Sequence, residues 1–217
     1  MNRGPHAPRR RRSFALGIAL LAATLVPPAL AADAPVLLVV GDSISAAYGL
    51  PPGSGWTDLL QARLKARGQP HRVVNASISG DTTAGGRARL PALLARHKPS
   101  IVVIELGGND GLRGGTIASS RANLDAMISA SKTAGARVLL IGMRLPPNYG
   151  PAYTRQFEAM FVDAAKAGGA ALVPFFFEGF GDDTAWFQPD RIHPTAEAQP
   201  KLLDNAWPAI ERLLPRR

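Results

Sequence analysis

The fold is decided by the stretch Val36-Leu37-Leu38-Val39-Val40-Gly41-Asp42-Ser43-Ile44-Ser45, in which an apolar run stops at a glycine and a serine follows two residues later. Apolar runs of this length with β-branched residues are typical of strands buried on both faces, as in a parallel sheet. Gly41 allows the chain to turn away sharply, so the sequence predicts that Ser43 lies where the strand ends. Ligands of open α/β sheets bind at that edge. Because Gly-Asp-Ser is also ordinary turn chemistry, this stretch alone leaves the role of the serine open.

Strand and helix patterns alternate along the rest of the chain, with no internal repeat. Further apolar runs predict strands at 72–75, 101–106, 137–143 and 170–174, and amphipathic patterns predict helices between and after them. This alternation predicts one parallel sheet covered by helices on both faces, with right-handed crossovers. The loops after the first three strands should then open at the same edge of the sheet.

The composition is that of a globular chain of one domain. The chain has 217 residues, of which 46% are hydrophobic and 19% are charged. Its net charge of +9 includes five arginines within the first twelve residues, and the remainder carries only +4. A nucleic-acid partner is therefore not expected. The absence of cysteine excludes thiol nucleophiles and cysteine metal sites.

The N-terminal segment has the three parts of a secretory signal peptide. A basic start is followed by an apolar run from Phe14 to Val26 and by Ala29-Leu30-Ala31, which fits a small-residue cleavage site. The sequence therefore predicts a signal peptide over residues 1–31 and a single domain over residues 32–217, in a protein exported to the periplasm or beyond. The apolar run is too short for a comfortable membrane span, and no later stretch is long enough. The segment Arg11-Arg12-Ser13-Phe14 partly matches a twin-arginine signal, which leaves the export route open.

Three side chains could form a nucleophile, a general base and an orienting carboxylate. His193 lies in Asp190-Arg191-Ile192-His193-Pro194, and the spacing lets Asp190 reach one imidazole nitrogen while the other nitrogen faces outward. With Ser43 at the strand edge, this set matches the requirements of nucleophilic catalysis. Taken alone, the Asp190–His193 pair is better explained as a simple turn capped by an aspartate.

Acyl transfer also requires donors for the oxyanion that develops on the substrate. Gly80 can present a bare backbone N–H on the loop after the second strand. The Asn109 side chain offers an amide donor after the third strand, and the Ser43 N–H would be a third donor. A catalytic metal is not expected, since no second histidine is placed near His193.

The motifs that carry these residues resemble the four blocks of the SGNH (GDSL-type) hydrolase family. They are Gly41-Asp42-Ser43-Ile44-Ser45, Gly80, Gly107-Gly108-Asn109-Asp110 and Asp190-Arg191-Ile192-His193. Longer stretches, such as 75–82, 105–114 and 144–150, are similar to the thioesterase, lysophospholipase and arylesterase branch of that family. The resemblance covers essentially the whole chain after the signal segment.

The resemblance implies a three-layer α/β/α sandwich of flavodoxin-like type with a five-stranded parallel sheet. It implies Ser43 as nucleophile, His193 as base and Asp190 as its partner, with Ser43 N–H, Gly80 N–H and Asn109 as oxyanion donors. The implied activity is hydrolysis of carboxylic esters and thioesters, among them acyl thioesters, lysophospholipids and aryl esters, through an acyl-enzyme and without a cofactor. Asp42 and Asp110 are interpreted as residues that order their loops.

Residues on the loops around the serine are candidates for substrate binding. Apolar side chains there suit an acyl chain or an aromatic ester. The candidates are Ile44, Leu112, Arg144, Leu145, Pro146 and Tyr149.

Three alternatives differ in what they require. An α/β-hydrolase would need G-x-S-x-G around its serine, and no serine here has those flanks. A carbohydrate O-acetylesterase of the same family is disfavoured by the apolar loops and the branch resemblance. A non-catalytic flavodoxin-like binding protein would explain Gly41 and Ser43 but leaves Asn109, Asp190 and His193 without a role. The natural acyl group, its chain length and the oligomeric state stay open.

Overall fold

A five-stranded parallel sheet forms the centre of the computed structural model, which describes residues 1, 2, 4 and 34–215. The strands are β1 (Val36–Gly41), β2 (Arg72–Asn75), β3 (Ile101–Glu105), β4 (Arg137–Ile141) and β5 (Ala171–Val173). Their order in the sheet is β2-β1-β3-β4-β5, and every neighbouring pair is parallel. The predicted parallel sheet and its flavodoxin-like type are therefore confirmed.

In the described part of the chain, five helices cover the two faces of the sheet and a short one follows β3 at its carboxyl end. They are α1 (Trp56–Ala66), α2 (Thr83–His97), α3 (Gly108–Leu112), α4 (Ile117–Thr133), α5 (Pro151–Gly168) and α6 (Gln199–Leu213). Helices α1 and α6 pack side by side, whereas α4 packs between α2 and α5. The predicted three-layer sandwich is confirmed, but the short helix α3 was predicted to be part of a loop.

The central strands are buried on both faces, as their apolar sequences predict. Every residue of β1 and β3 is buried, including the carboxylate-bearing Glu105. Edge strand β2, in contrast, has exposed residues at both ends. The sheet therefore has a rigid, dry centre, and the loops that follow β1 and β3 start from that centre.

The strand order reverses at β1, which places a crevice at the carboxyl ends of β1 and β3. Gly41, the last residue of β1, pairs in register with Glu105, the last residue of β3. Ser43 follows two residues after the first of these positions, and Asn109 follows four residues after the second. The topology thus brings the two predicted site residues to one end of the sheet.

The described residues from 34 to 215 form one compact unit. The predicted signal segment falls outside the described residues except at positions 1, 2 and 4, so that assignment stays a prediction. Within the part that the structure describes, no helix has the length and apolar character needed to cross a membrane.

Candidate active site

The turn after β1 presents Ser43 from a tightly packed base. A Cβ at Gly41 would lie 2.8 Å from Glu105 Oε2 and from the Ser45 side chain, so only glycine fits at this position. Asp42 Oδ1 accepts a hydrogen bond from the Ile44 N–H at 3.0 Å, which confirms the interpretation of Asp42 as a residue that orders the turn. The turn is thus fixed on both sides of the Ser43 hydroxyl.

His193 lies between Ser43 and Asp190. Its Nε2 is 2.9 Å from Ser43 Oγ, and its Nδ1 is 2.7 Å from Asp190 Oδ2. These distances suit an imidazole that donates from Nδ1 to the carboxylate and accepts the serine proton at Nε2. The geometry brings together the three side chains that the sequence singles out.

The backbone of the His193 loop orients Asp190 as well as the ring. Arg191 has a φ of +58°, in the left-handed region, and this bend lets Asp190 Oδ1 accept from the N–H groups of both Ile192 (2.9 Å) and His193 (3.0 Å). Burial works to raise the pKa of Asp190, but the hydrogen bonds from His193 and Ile192 outweigh it and lower that pKa to about 2. Asp190 is therefore ionised at neutral pH and can orient the imidazole.

Two contacts join the His193 loop to the nucleophile turn. The Tyr48 ring lies against the imidazole, with centroids 4.6 Å apart. Gln188 Nε2 donates to the carbonyls of Tyr48 (2.8 Å) and Pro194 (3.2 Å), one on each side of the site. Neither residue is predicted from the sequence, because each acts through the tertiary approach of distant loops.

The three candidate oxyanion donors differ in how they are occupied. Among the described residues, the N–H groups of Ser43 and Gly80 donate to no acceptor. The Asn109 amide nitrogen instead donates to Asp42 Oδ2 at 3.1 Å and to the Asp81 carbonyl at 2.9 Å. Since this nitrogen carries two hydrogens, Asn109 has to exchange one of these bonds before it can bind an oxyanion. The longer bond, to Asp42, is the one more easily exchanged.

Two buried carboxyl groups lie beneath the nucleophile. Asp42 is only 3% exposed and Glu105 is fully buried, where its Oε2 accepts from Ser45 Oγ at 2.7 Å. Burial raises the pKa of Asp42 to about 6, against the Ile44 and Asn109 hydrogen bonds and the nearby His193, which lower it. Burial, with the neighbouring Asp42 charge, raises the pKa of Glu105 well above its usual value. The sequence analysis did not identify Glu105, because one acidic residue at the end of an apolar strand is not distinctive.

The loop after β3 is ordered by Asp110, as predicted. Its carboxylate accepts from the backbone N–H of Thr83 at 2.9 Å, from the Thr83 hydroxyl and from Ser120 Oγ at 3.2 Å. These bonds tie helix α3 to α2 and α4. Asn109 is therefore carried on a short helix that is held from two directions.

A cavity of about 430 Å³ opens beside Ser43 and His193. Five of the six candidate substrate-binding residues line it, namely Ile44, Leu112, Arg144, Leu145 and Pro146. Tyr149 is not part of the lining, and its hydroxyl instead donates to the Leu112 carbonyl at 2.9 Å. Tyr149 thus holds a wall residue in place rather than forming the wall.

Aromatic residues from the chain after β5 complete the cavity. Phe175, Phe177 and Phe187 all line it, although the sequence analysis did not select them. For Phe175 and Phe177 the available signal was the run Phe175-Phe176-Phe177, which follows the predicted fifth strand and therefore lies at the carboxyl edge of the sheet. Within the described part of the chain, no group of His, Cys, Asp and Glu residues is arranged to hold a metal ion.

Comparison with known proteins identifies relatives over most of the chain. Residues 39–199 match the GDSL-like lipase/acylhydrolase family. The chain is 57% identical to esterase TesA of Pseudomonas aeruginosa over 183 residues, which are 84% of this chain and 91% of that protein. It is 44% identical to thioesterase 1/protease 1/lysophospholipase L1 of Escherichia coli K12, over 80% of this chain and 82% of that protein.

A solved structure supports the same relationship. The crystal structure of TesA matches with a TM-score of 0.81 and 57% identity, over 82% of this chain and 99% of that one. These matches confirm the SGNH (GDSL-type) resemblance. The chain belongs to the GDSL-like lipase/acylhydrolase family and is a serine hydrolase of ester bonds.

Proposed function

We propose that Ser43 is the nucleophile, His193 the general base and Asp190 its orienting partner in an exported esterase. The observation that carries this proposal is the continuous contact from Asp190 Oδ2 through His193 to Ser43 Oγ, at 2.7 and 2.9 Å. The substrates are carboxylic esters and thioesters, including lysophospholipids, as the names of the relatives suggest. No cofactor is required for this chemistry.

The reaction proceeds in two acyl-transfer steps. His193 Nε2 takes the proton of Ser43 Oγ while this oxygen bonds to the substrate carbonyl carbon. The tetrahedral intermediate then breaks its bond to the alcohol or thiol, which leaves with the proton from His193. A water molecule attacks the acyl-enzyme in the same way, with His193 again accepting and returning the proton, and the carboxylic acid leaves as Ser43 is restored.

The oxyanion binds to the free N–H groups of Ser43 and Gly80 and to the Asn109 amide. The oxyanion competes with Asp42 for one hydrogen of the Asn109 amide, because that hydrogen bonds to Asp42 Oδ2 in the free enzyme. The oxyanion exists only in the transition state and the tetrahedral intermediate. An interaction gained at that stage lowers the barrier rather than strengthening ground-state binding. The acyl chain lies in the cavity lined by Ile44, Leu145 and Phe177.

We further infer that residues 1–31 are removed on export and that residues 32–217 form the mature domain. The basic, apolar and small-residue segments support this cleavage. The intact mass of the protein from a bacterial periplasmic fraction tests it: loss of 31 residues is expected. Recovery of the full-length chain, anchored in the membrane fraction, would contradict it.

The catalytic assignment is tested with p-nitrophenyl butyrate and a fluorophosphonate probe. Ser43→Ala is expected to abolish both hydrolysis and labelling. Ser54→Ala changes a serine of the same β1–α1 connection, whose hydroxyl donates to the Pro51 carbonyl, and serves as the matched control that retains both. Persistent labelling of the folded Ser43→Ala protein would overturn the assignment.

A further inference from the structure

Arg144 lies on the boundary between two cavities. One is the active-site cavity of about 430 Å³. The other, of about 380 Å³, is lined by Arg144 and by residues between 175 and 183, which follow β5. The residues common to both linings are Arg144, Phe175, Phe177, Gly181 and Asp182. These five residues therefore form the wall that the two cavities share.

The position of the Arg144 side chain depends on weak contacts. Its guanidinium lies 4.4 Å from the centroid of the Phe175 ring, 3.4 Å from Glu158 and 4.0 Å from Glu178. The Arg144 side chain is 47% exposed, so water screens both ion pairs. A stacked and paired arginine of this kind can move aside without breaking a buried network.

The second cavity has an apolar floor and an acidic rim. Phe177 and Phe180 are buried, and their ring centroids lie 5.6 Å apart. Asp182 and Asp183 belong to the exposed rim, where their charges stay in water. An uncharged acyl chain can thus lie on the phenyl rings without removing a carboxylate from solvent.

We propose that Arg144 is a gate between the two cavities, and that the second cavity receives the distal methylenes of long acyl chains. The inference rests on the proposed function, because it takes the acyl chain to start at Ser43. With Arg144 stacked on Phe175, the bound chain ends in the first cavity. With Arg144 displaced, the acyl chain continues across the phenyl floor, and each further methylene raises kcat/KM by at most about fourfold, the value for complete burial.

The test is a chain-length profile of kcat/KM for p-nitrophenyl esters from butyrate to myristate, below their micelle concentrations. Arg144→Ala is expected to raise the ratio of kcat/KM for myristate to that for hexanoate at least about tenfold. Arg144→Lys keeps a cation that can stack and pair, and is expected to stay within about threefold of the wild-type ratio. Arg155→Ala removes an exposed arginine of α5 that lines neither cavity and is the matched control.

A second variant opens the same boundary without changing the charge. Phe175→Leu removes the ring on which Arg144 stacks and is expected to shift the ratio in the same direction. If folded Arg144→Ala and Phe175→Leu both keep the wild-type ratio, or both lower all esters equally, the gate is refuted. Failure of the proposed function is distinguishable, because it would appear as butyrate hydrolysis that survives in Ser43→Ala.

Discussion

Asp42→Asn is expected to make the stability of the protein less sensitive to pH. Asp42 is buried beneath the nucleophile turn, and burial raises its pKa to about 6 from an unfolded value near 3.8. Asparagine has the same shape and can still accept the Ile44 N–H at Oδ1, but it carries no titrating charge. The substitution therefore removes the free energy that depends on ionisation of Asp42, including the repulsion between its charge and Glu105.

The magnitude follows from the two pKa values of Asp42. A pKa that rises from 3.8 to about 6 on folding corresponds to about 3 kcal/mol. Between these values Asp42 binds more protons in the native state than in the unfolded state, so its contribution to stability is greatest below pH 3.8 and is lost as the pH rises through 6. The free energy of unfolding of the variant minus that of the wild type should thus increase by about 2 kcal/mol between about pH 4.5 and about pH 7.5.

The assay is urea denaturation of both proteins at three pH values across this window, followed by tryptophan fluorescence. The asparagine amide faces the Asn109 amide, and the cost of that contact does not depend on pH, so it cancels from the comparison. Asp125→Asn removes an exposed carboxylate of α4 that pairs with Arg121 and is expected to show no such trend. A difference between Asp42→Asn and wild type that stays constant with pH would refute the reasoning.

Further predictions concern residues that hold or complete the site. Asn109→Ala is expected to lower kcat for p-nitrophenyl butyrate about a hundredfold and to cost about 1–3 kcal/mol of stability, because Asp42 and the Asp81 carbonyl each lose a donor. Unchanged turnover of the folded variant would remove Asn109 from the oxyanion hole. Gly111→Ala should cost about 1–3 kcal/mol in urea denaturation, because the new Cβ would lie 2.7 Å from the side chains of Leu145 and Phe157; equal stability would show that α3 can shift. Gln188→Ala removes the hydrogen bond to the Tyr48 carbonyl that joins the two catalytic loops and the bond to Pro194 within the His193 loop, and should lower kcat while KM stays constant. A change in KM alone would contradict a positioning role.

Local patterns in the sequence were enough to predict the sheet and the nucleophile turn. A run of apolar residues that includes three valines and ends at Gly41 is typical of a buried strand, and β1 ends at that glycine in the structure. A helix was predicted between the third and fourth strands, and it is observed as α4 at Ile117–Thr133, where the Thr116 side chain caps its first turn. The positions of Ser43 and Asn109 at one edge then followed from the parallel topology.

Contacts between distant segments could not be predicted in the same way. Glu105 is unremarkable in sequence, and its hydrogen bonds with the Asp42 N–H and the Ser45 hydroxyl depend on the register of β1 against β3. Tyr149 has the side-chain type expected of a cavity residue and lies on a loop near Ser43. Its hydroxyl instead donates to the Leu112 carbonyl, and the residue is not part of the cavity lining. The phenylalanine run after β5 marks the carboxyl edge of the sheet, but that Phe175 and Phe177 line the cavity while Phe176 is buried depends on the path of the chain there. In each of these cases the role of the residue depends on contacts with residues distant in sequence, which local propensity does not predict.

The two sides of the active site are held by contacts of different strength. Beneath Ser43, Asp42 and Glu105 are buried, and removal of one hydrogen-bond partner there costs about 1–3 kcal/mol and displaces the turn. Around the acyl cavity, Arg144 is held by half-exposed ion pairs worth at most about 1 kcal/mol each. Substitutions on the acyl side should therefore change chain-length preference at little cost in stability. Substitutions beneath Ser43 should change stability and turnover together, because the same buried bonds support both.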